Sequence, residues 1–582
     1  METPSISEKR RLPDDVETRI IHFFDQDIPP SFFLFAGAGS GKTGTLVEVL
    51  KALRNKKGDQ LRCYGKRIGV ITYTNAACDE IKHRLGYDPL IAVSTIHSFV
   101  WSLIQDFHRD IKVWLHEELG RKIDELHEKQ RRGRSGKESA KREKDIEFSM
   151  MRRDGLKGIR AFTYSPTGDN KDRDALNHNE VINIGSFFIR EKPLMQEILV
   201  SRFPVLLIDE SQDTNKMLME SLLMVQNNHA ERFCLGLLGD MMQRIYLDGK
   251  VDLKTSLSPN WEQPEKKMNY RSPPRIVELI NKIRANVDRL EQQAKDGWDE
   301  KGHIRMFILP SNTPDKDEKE KQIAQQMAEI TGDALWSGPT PNVKKLVLEH
   351  HMAARRMGFI EMFMSLYQVD SLKTGVLDGD HLLPGLVLFS KMVWPLIQAK
   401  QCGNEFSVMA IVRNHSPLLS KSAFLMAGAD QSVQIQKTRA AVDELMTLFN
   451  NNDSLRFLDV LLCVSRTGLF EIPEILRPMT ASTLEEQQQV TNLPDDPSPD
   501  TSLADVEMEA WDQFLLTPFR QIEPYLAYVS GKAEFDTHQG VKGGVSKNGL
   551  HGPNLLPRIW ASSADTSLPP IQYFGTLTGF SA

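Results

Sequence analysis

Cysteine is scarce in this chain, and no long apolar run is present. The 582 residues contain five cysteines, none of them in a CxxC pair, so the sequence predicts neither a disulfide framework nor a cysteine-rich metal site. The most apolar run, from Leu386 to Ile397, is interrupted by Lys391 and Pro395 and is too short to span a membrane. The polar stretch at residues 1–15 lacks the apolar segment of a secretory signal. We therefore expect a cytoplasmic protein with no membrane contact.

An excess of positive charge is lacking as well. The formal net charge is −6 and the pI is about 6.2, so nucleic-acid binding would need a local groove instead of a basic field over the whole chain. The hydrophobic fraction of 40% and the charged fraction of 26% are typical of globular domains. At about 150 residues per domain, the length corresponds to roughly four folding units.

Short apolar strands alternate with helical patterns in the first half of the chain. The apolar runs predict strands at residues 31–36, 67–72, 204–208 and 233–238, and the spacing of apolar residues predicts a helix at 45–53. This alternation is typical of an α/β fold, in which a parallel sheet carries helices on both faces.

Composition changes along the chain predict the domain boundaries. We expect a first sheet domain at residues 14–110 and 200–290, interrupted by a charged helical insertion at 111–199. The charges of that insertion predict a solvated helical face, with a few DNA-backbone contacts as the alternative. Further strands are predicted at 304–309, 345–348 and 406–412. They would belong to a second, incomplete sheet domain at 300–360, 406–420 and 530–545. The remainder is predicted as a mostly helical insertion at 361–405 and 421–529, with a linker at 485–510, and an irregular tail at 546–582.

A glycine-rich segment between the first strand and helix predicts a phosphate-binding loop. Its residues are Ala36, Gly37, Ala38, Gly39, Ser40, Gly41, Lys42 and Thr43. Glycines allow the backbone N–H groups to surround a phosphate, and the following helix N-terminus favours an anion. Lys42 would contact the β- and γ-phosphates, and the Thr43 hydroxyl would bind Mg²⁺. The strict pattern has glycine where Ala36 stands, and the alternative is a turn without a chemical role.

Residues that suit an ATP site occur at three later places in the chain. Asp209 and Glu210 end an apolar strand, which suits Mg²⁺ binding by the first and activation of a water molecule by the second. Gln243 follows the next strand and would sense the γ-phosphate. Arg271 offers a permanent cation for a developing phosphate charge, and Tyr270 a flat face for a nucleobase. Each signal is weak alone, since strand ends and surface pairs of this kind are common.

In this order, the segments resemble the UvrD/Rep family of superfamily 1 helicases. Residues 71–77 and 94–99 add to the resemblance, because they are similar to the family's first DNA-contacting motifs. The resemblance implies two RecA-like P-loop domains, each with a mostly helical insertion, and 3′-to-5′ movement on single-stranded DNA with unwinding of duplex DNA. It implies ATP and Mg²⁺ as cofactors. By similarity, the residues that serve ATP and Mg²⁺ are Lys42, Thr43, Asp209, Glu210, Gln243, Tyr270 and Arg271.

The DNA-facing residues are also assigned by this resemblance. Tyr73 stands where the family places an aromatic side chain that stacks on a base, and such stacking contributes about 1–3 kcal/mol per base. The remaining DNA-facing positions are Thr74, Asn75, Thr95, His97 and His538. No glutamine motif for adenine is evident upstream of the phosphate loop.

The sequence departs from the family pattern after Gly543. The segment from Asp536 to Gly543 resembles the family's His-x-x-Lys-Gly segment, but the buried strand and the last arginine motif do not follow. We expect a truncation or frameshift there. Three functions stay open: an active DNA helicase of repair or recombination, a truncated helicase-like protein that binds ATP and DNA without efficient hydrolysis, and a P-loop ATPase acting with a separate nuclease or repair partner.

Overall fold

The structure is a computed structural model that describes most of the chain. The described residues are 15–132, 137–166, 173–244, 253–298, 301–310, 314–338, 343–377, 383–420, 423, 431–451, 454–480, 503–537 and 559–561. The chain divides into two compact units, and the boundary follows Pro310.

The first unit contains a parallel sheet of six strands. Their order is β3-β2-β4-β5-β1-β6, and every neighbouring pair is parallel. The strands are β1 (Phe32–Ala36), β2 (Ile68–Thr72), β3 (Ile91–Thr95), β4 (Val205–Ile208), β5 (Cys234–Gly239) and β6 (Glu265–Lys266). A small parallel pair, β7 (Met268–Asn269) with β8 (Gln293–Ala294), follows.

Ten helices surround this sheet in the described part of the first unit. They are α1 (Asp15–Phe23), α2 (Lys42–Cys63), α3 (Asn75–Arg84), α4 (Ile96–Ile104), α5 (His108–Arg132), α6 (Lys137–Gly155), α7 (His178–Glu191), α8 (Pro193–Arg202), α9 (Lys216–Asn228) and α10 (Pro274–Arg284). Helices α5 to α8 lie between β3 and β4 in the chain, where the sequence predicts a helical insertion.

Strand alternation divides the first unit into two apolar cores. All five residues of β1 are buried. Because successive side chains of a strand point to opposite faces, Phe33 and Phe35 join one core, whereas Phe32 and Leu34 join the other. Helix α2 contributes Leu46 and its neighbours to the second core. Both faces of the sheet are therefore covered, as an all-parallel sheet requires.

The second unit has a three-stranded parallel sheet of order β10-β9-β11. Its strands are β9 (Lys344–Val347), β10 (Phe535–Thr537) and β11 (Ile559–Ala561). Its helices are α11 (Lys316–Thr331), α12 (His350–Arg356), α13 (Ile360–Tyr367), α14 (Asp370–Leu377), α15 (Pro384–Val387), α16 (Trp394–Gln401), α17 (Glu405–His415), α18 (Gln431–Asn451), α19 (Phe457–Thr467), α20 (Leu503–Leu515) and α21 (Ile522–Val529). A π-helical turn, Leu388–Val393, joins α15 to α16. The predicted α/β fold class is thus confirmed.

Three sequence predictions for the second half are wrong. Residues 304–309 form no strand, and Ile308 is 85% exposed without a ladder partner. Residues 406–412 are helical: Asn404 caps α17 by accepting the Ser407 N–H, and the buried residues of the helix are Val408 and Val412, one helical turn apart. The last residues of the predicted linker at 485–510 are helical, because α20 begins at Leu503, where the apolar spacing supports a helix.

Some predicted features lie outside the described residues. They include His538, residues 481–502 of the predicted linker, and all of the predicted tail except 559–561. The five cysteines lie inside the described residues and are free thiols. Across the described ranges, the structure has no helix that combines the length and apolar character needed to span a membrane.

The fold makes Gly236, in the middle of β5, intolerant of a side chain. A Cβ atom there would lie 2.4 Å from Leu207 Cδ2 and 2.7 Å from the Phe32 ring. We expect Gly236→Ala to lower the free energy of unfolding by about 1–3 kcal/mol, because the core must shift to accept the methyl group. Urea unfolding measures the change. Gly158→Ala is the control, since an added Cβ meets no atom within 4 Å there. Equal stability of the two variants would contradict the packing described.

Candidate nucleotide site and nucleic-acid interface

The phosphate loop connects the carboxyl end of β1 to the first turn of α2. Gly39 and Gly41 have φ angles of 74° and 81°, a region that residues with a Cβ atom rarely adopt. Gly39 also has no room for a side chain, because a Cβ atom would lie 2.6 Å from Asn269 Oδ1. Ser40 closes the loop by donating its hydroxyl to the Gly37 carbonyl at 2.7 Å. The glycines are thus needed for the backbone path itself.

Lys42 begins α2 and directs its amino group towards the other predicted ATP-site residues. Its Nζ donates to Gln243 Oε1 at 3.2 Å and to the Ala36 carbonyl at 3.4 Å. Glu210 Oε1 lies 3.9 Å from the same nitrogen. The Lys42 side chain is only 9% exposed. Residues far apart in the sequence therefore meet around one cation.

Asp209 and Glu210 follow β4 and differ in their surroundings. Asp209 is 6% exposed and accepts a hydrogen bond from the Glu210 N–H at 3.0 Å. Burial, together with the neighbouring Glu210 charge, raises the pKa of Asp209, and Lys42 opposes the rise. Glu210 is more open and receives a hydrogen bond from Gln212 Nε2 at 2.6 Å. It has a φ angle of 49°, an uncommon value outside glycine that often marks functional positions.

A buried ion pair lies behind the phosphate loop. Asp240 accepts both Arg284 nitrogens, at 3.0 and 2.9 Å. The same carboxylate accepts the backbone N–H of Ala38 at 3.0 Å and that of Met242 at 3.1 Å. The loop and the Gln243 segment are thus joined through one carboxylate.

Asn269 and Gln292 hold the other side of the loop. Both side-chain amides donate to the Ala38 carbonyl, at 3.0 and 3.1 Å. Asn269 Oδ1 also accepts the Arg271 N–H at 2.9 Å, which orients the segment that carries the predicted phosphate-binding arginine. Burial lowers the pKa of Arg271, while Glu210 opposes that shift.

The aromatic ring of Tyr270 is 38% exposed and has Lys266 beside it. The Lys266 Nζ lies 5.8 Å from the ring centroid. That amino group is buried and donates to Glu17 at 2.8 Å and to Thr45 at 2.7 Å. The Tyr270 backbone N–H donates to the Gly39 carbonyl at 2.9 Å. The predicted stacking residue is therefore attached to the phosphate loop.

The donor set suits Mg²⁺ better than a metal held by protein alone. Within the described ranges, no cluster of three or more His, Cys, Asp or Glu residues could hold a metal ion. Magnesium is usually held by one or two carboxylates together with nucleotide phosphates and water. Two groups fit that requirement: the Asp209 carboxylate and the Thr43 hydroxyl at the start of α2. Lys42 offsets the buried charge of Asp209 only in part.

The predicted DNA-facing segments follow neighbouring strands. Thr72 of β2 and Thr95 of β3 are register partners, so the residues after them emerge side by side at the carboxyl edge of the sheet. Thr74 caps α3 by accepting the Ala77 N–H, and Asn75 is the first residue of that helix. Thr95 caps α4 in the same way. The two threonines therefore fix the starts of α3 and α4, in addition to their predicted contact with DNA.

Tyr73 and His97 differ in how open they are. Tyr73 is 39% exposed, as a base-stacking residue must be. His97 is partly buried and packs edge-on against His178, with ring centroids 5.1 Å apart. Tyr164 bonds His178 Nδ1 at 2.6 Å. Burial and then the His178 charge lower the pKa of His97 to about 4, so this imidazole is neutral at physiological pH.

The structure brings together most of the residues that the sequence nominated. The phosphate loop, Asp209, Glu210, Gln243 and the Tyr270–Arg271 segment lie at one edge of the sheet, and Tyr73 to Asn75, Thr95 and His97 follow the next two strands. His538 lies outside the described residues. Sequence reasoning missed Gln212, Asp240, Asn269, Arg284 and Gln292. Gln212, Asp240 and Asn269 lie within three residues of Glu210, Gln243 and Tyr270, respectively, whereas Arg284 and Gln292 gave no sequence signal.

One protein family matches the first part of the chain. Residues 28–247 match the family described as the UvrD/REP helicase N-terminal domain. This range contains the phosphate loop, the acidic pair and Gln243, and it ends before Tyr270 and Arg271. The predicted resemblance to the UvrD/Rep type is thus confirmed.

Individual relatives are distant in sequence. The chain is 25% identical over 405 residues to the Gabija protein GajB of Bacillus cereus (strain HuB5-5), covering 58% of this chain and 57% of that protein. It is 26% identical over 283 residues to the ATP-dependent DNA helicase Rep of Buchnera aphidicola subsp. Schizaphis graminum, covering 44% and 42%. The chain thus spans less than two thirds of these relatives. The Pif1 helicase structure from Candida albicans matches 60% of this chain and 54% of that chain at 13% identity, with a TM-score of 0.28, too low to bear on the fold.

The raised pKa of Asp209 predicts that its charge destabilises the protein without nucleotide and metal. The penalty is full above the folded-state pKa and vanishes as pH falls below the unfolded value of about 3.9. We expect Asp209→Asn to raise the free energy of unfolding by about 1–3 kcal/mol at about pH 8, and by less at about pH 5. Urea unfolding with EDTA present measures it, and the exposed Asp124→Asn is the control. A less stable Asp209→Asn protein at the higher pH would contradict the assignment.

Proposed function

We propose that the chain is an ATP-dependent DNA helicase, because residues 28–247 match the UvrD/REP helicase N-terminal domain. It would translocate 3′-to-5′ on single-stranded DNA and couple ATP hydrolysis to strand separation. The observation that carries the proposal is the convergence on Lys42, whose amino group lies 3.2 Å from Gln243 Oε1 and 3.9 Å from Glu210 Oε1. A lysine, a sensor amide and a carboxylate then face the position of one γ-phosphate.

Each of these residues has a distinct part in hydrolysis. Lys42 and the loop N–H groups bind the phosphates, and Arg271 stabilises the charge that develops on them. Glu210 orients the attacking water and accepts its proton, aided by the hydrogen bond from Gln212 that fixes its carboxylate. Thr43 and Asp209 would hold Mg²⁺, which would neutralise phosphate charge. Gln243 contacts Lys42 in the structure and would exchange that contact for the γ-phosphate.

DNA is the proposed partner of the neighbouring strand ends. Tyr73 stacks on a base, while Thr74, Asn75, Thr95 and His97 contact the strand without reading its sequence. Since Thr72 and Thr95 are register partners, one strand of DNA can contact both segments. His538 is proposed for the same role only from the resemblance of its segment, in which three residues instead of two separate it from Lys542. We further propose a cytoplasmic location and action in repair or recombination, with a nuclease or repair protein as a further partner.

A protein that binds ATP and DNA but hydrolyses slowly is the alternative. It is favoured by one sequence observation, since the family's last arginine motif is not visible after Gly543. An arginine of this kind contributes about 10³–10⁵ in rate in related phosphoryl transfers. Strand displacement separates the two functions: a helicase opens a duplex with a 3′ tail in preference to one with a 5′ tail, and the alternative opens neither.

Substitutions at Lys42 and Glu210 separate nucleotide binding from hydrolysis. We expect Lys42→Ala to abolish ATP turnover while DNA binding is retained, because the lost amino group, which lies 3.9 Å from Glu210 Oε1, is the one proposed to bind the β- and γ-phosphates. Glu210→Gln should bind nucleotide but hydrolyse it about 10²–10⁴-fold more slowly. Turnover and binding of a fluorescent ATP analogue are measured together. The control, Lys51→Ala, changes a half-buried lysine of the same helix, which pairs with Glu48. Full turnover in Lys42→Ala, or lost binding in Glu210→Gln, would refute these roles.

Tyr73 provides a separate test of the DNA interface. We expect Tyr73→Ala to weaken binding of a single-stranded oligonucleotide by about 1–3 kcal/mol, roughly 5- to 150-fold, because one stacking platform is lost. Tyr64→Ala is the matched control, since Tyr64 is 70% exposed and follows α2 instead of a sheet strand. Fluorescence anisotropy measures both affinities. Equal losses in the two variants would remove Tyr73 from the interface.

A further inference from the structure

The buried pair of Arg284 and Asp240 connects two segments of the nucleotide site. We propose that Arg284 is a positioning residue: by holding Asp240, it fixes the phosphate loop and the Gln243 segment in one relative geometry. This inference deepens the proposed function and rests on it. Arg284 lies at the end of α10, beyond the recognised motifs, and it touches none of the predicted phosphate-binding groups directly.

Asp240 is the point at which the two segments meet. One of its oxygens accepts the Ala38 N–H from the phosphate loop at 3.0 Å, and the other accepts the Met242 N–H at 3.1 Å. Met242 immediately precedes Gln243, whose amide oxygen contacts Lys42. A rotation of the Asp240 carboxylate would therefore displace the loop and the sensor residue relative to each other.

Arg284 prevents that rotation. Its two terminal nitrogens bind the two Asp240 oxygens in parallel, at 3.0 and 2.9 Å, a geometry that fixes the plane of the carboxylate. Asp288 holds the other edge of the guanidinium, at 3.2 Å from Nε and 2.5 Å from a terminal nitrogen. The side chains of Arg284 and Asp240 are only 4% and 1% exposed. Solvent therefore cannot replace either partner.

The position of α10 gives the pair a further consequence. The helix begins at Pro274, shortly after Arg271, and ends at Arg284. The start of this short helix is thus close in the chain to Arg271, which is proposed to face the γ-phosphate, and its last residue binds Asp240 behind the loop. Asn281 in the same helix exchanges two hydrogen bonds, both 2.8 Å long, with the backbone of Gln292, whose side chain contacts the Ala38 carbonyl. We infer that α10 aligns the phosphate loop, Gln243 and Arg271 as one group.

A purely structural ion pair is the competing explanation, and a charge-balanced double variant separates the two. Arg284→Met alone leaves the Asp240 carboxylate buried without its cation and should lower stability. Adding Asp240→Asn removes that charge, but an amide has only one acceptor oxygen for the two N–H groups. We therefore expect the double variant to regain thermal stability relative to Arg284→Met, while kcat for ATP stays about 10²-fold below wild type. The nucleotide Kd should stay within about threefold, since Lys42 and the loop remain.

Two further measurements make the outcome decisive. Amide hydrogen exchange in the absence of nucleotide should accelerate at Ala38 and Met242 in the double variant, whether or not the protein hydrolyses ATP. Arg284→Lys should recover only part of the kcat that Arg284→Met loses. Its amino group restores the positive charge but cannot bind both Asp240 oxygens in parallel. The control Arg152→Met removes a two-point Arg–Glu pair, 2.6 and 2.8 Å long, from the helical insertion and should leave exchange at Ala38 and Met242 unchanged.

The outcomes distinguish this inference from the proposed function. If wild-type protein turns over no ATP even with single-stranded DNA, the proposed function fails, and the exchange data alone decide the role of Arg284. Accelerated exchange at both amides, with kcat still low after stability returns, supports positioning. Unchanged exchange at both amides, or a kcat that recovers together with the melting temperature, overturns it.

Discussion

Parallel pairing of β4, β5 and β1 is the constraint on which the nucleotide site depends. Because the strands run in one direction, their carboxyl ends meet at a single edge, and the acidic pair, Gln243 and the phosphate loop emerge there together. The register is set by buried apolar residues on both faces of the sheet, so a slip of one residue would exchange the two cores. The site is therefore positioned by packing that has no chemical role itself.

Charge is distributed unevenly around this edge. Asp240 is neutralised by Arg284, whereas Asp209 shares Lys42 with Glu210 and has a raised pKa. The charge of Asp240, which holds the backbone, is thus balanced by an arginine, whereas the charge of Asp209, which is proposed to bind Mg²⁺, is balanced only in part. Glu210, in a left-handed backbone conformation, adds local strain at the position proposed for water activation. Asp240 thus serves stability, whereas Asp209 and Glu210 are the acids proposed for the chemistry.

The sequence was most informative where apolar runs end in polar motifs. The strands that became β1, β2, β4 and β5 were predictable because each is a short apolar run followed by a polar signal. Strand β3 was missed, since Ile91–Thr95 alternates and is only partly buried. Residues 406–412 were misassigned because a short apolar run fits a strand or a helix equally well.

The contacts between motifs could not be read from the sequence. Nothing near Arg284 in the chain indicates that it binds Asp240, which lies 44 residues away. Gln292 likewise meets Ala38 only through the fold. Partial burial of His97 against His178 depends on the insertion, whose helices the composition predicted without their packing. Residue types at strand ends thus revealed the candidate chemistry, and only three-dimensional packing revealed what holds it in place.

The most direct test of the central claim is the rate of ATP hydrolysis by the 582-residue chain, with and without single-stranded DNA. If the residues proposed at this sheet edge hydrolyse ATP, and the neighbouring strand ends bind DNA as proposed, turnover should rise severalfold when the oligonucleotide is added. Nucleotide and DNA binding with no turnover under either condition would contradict the account.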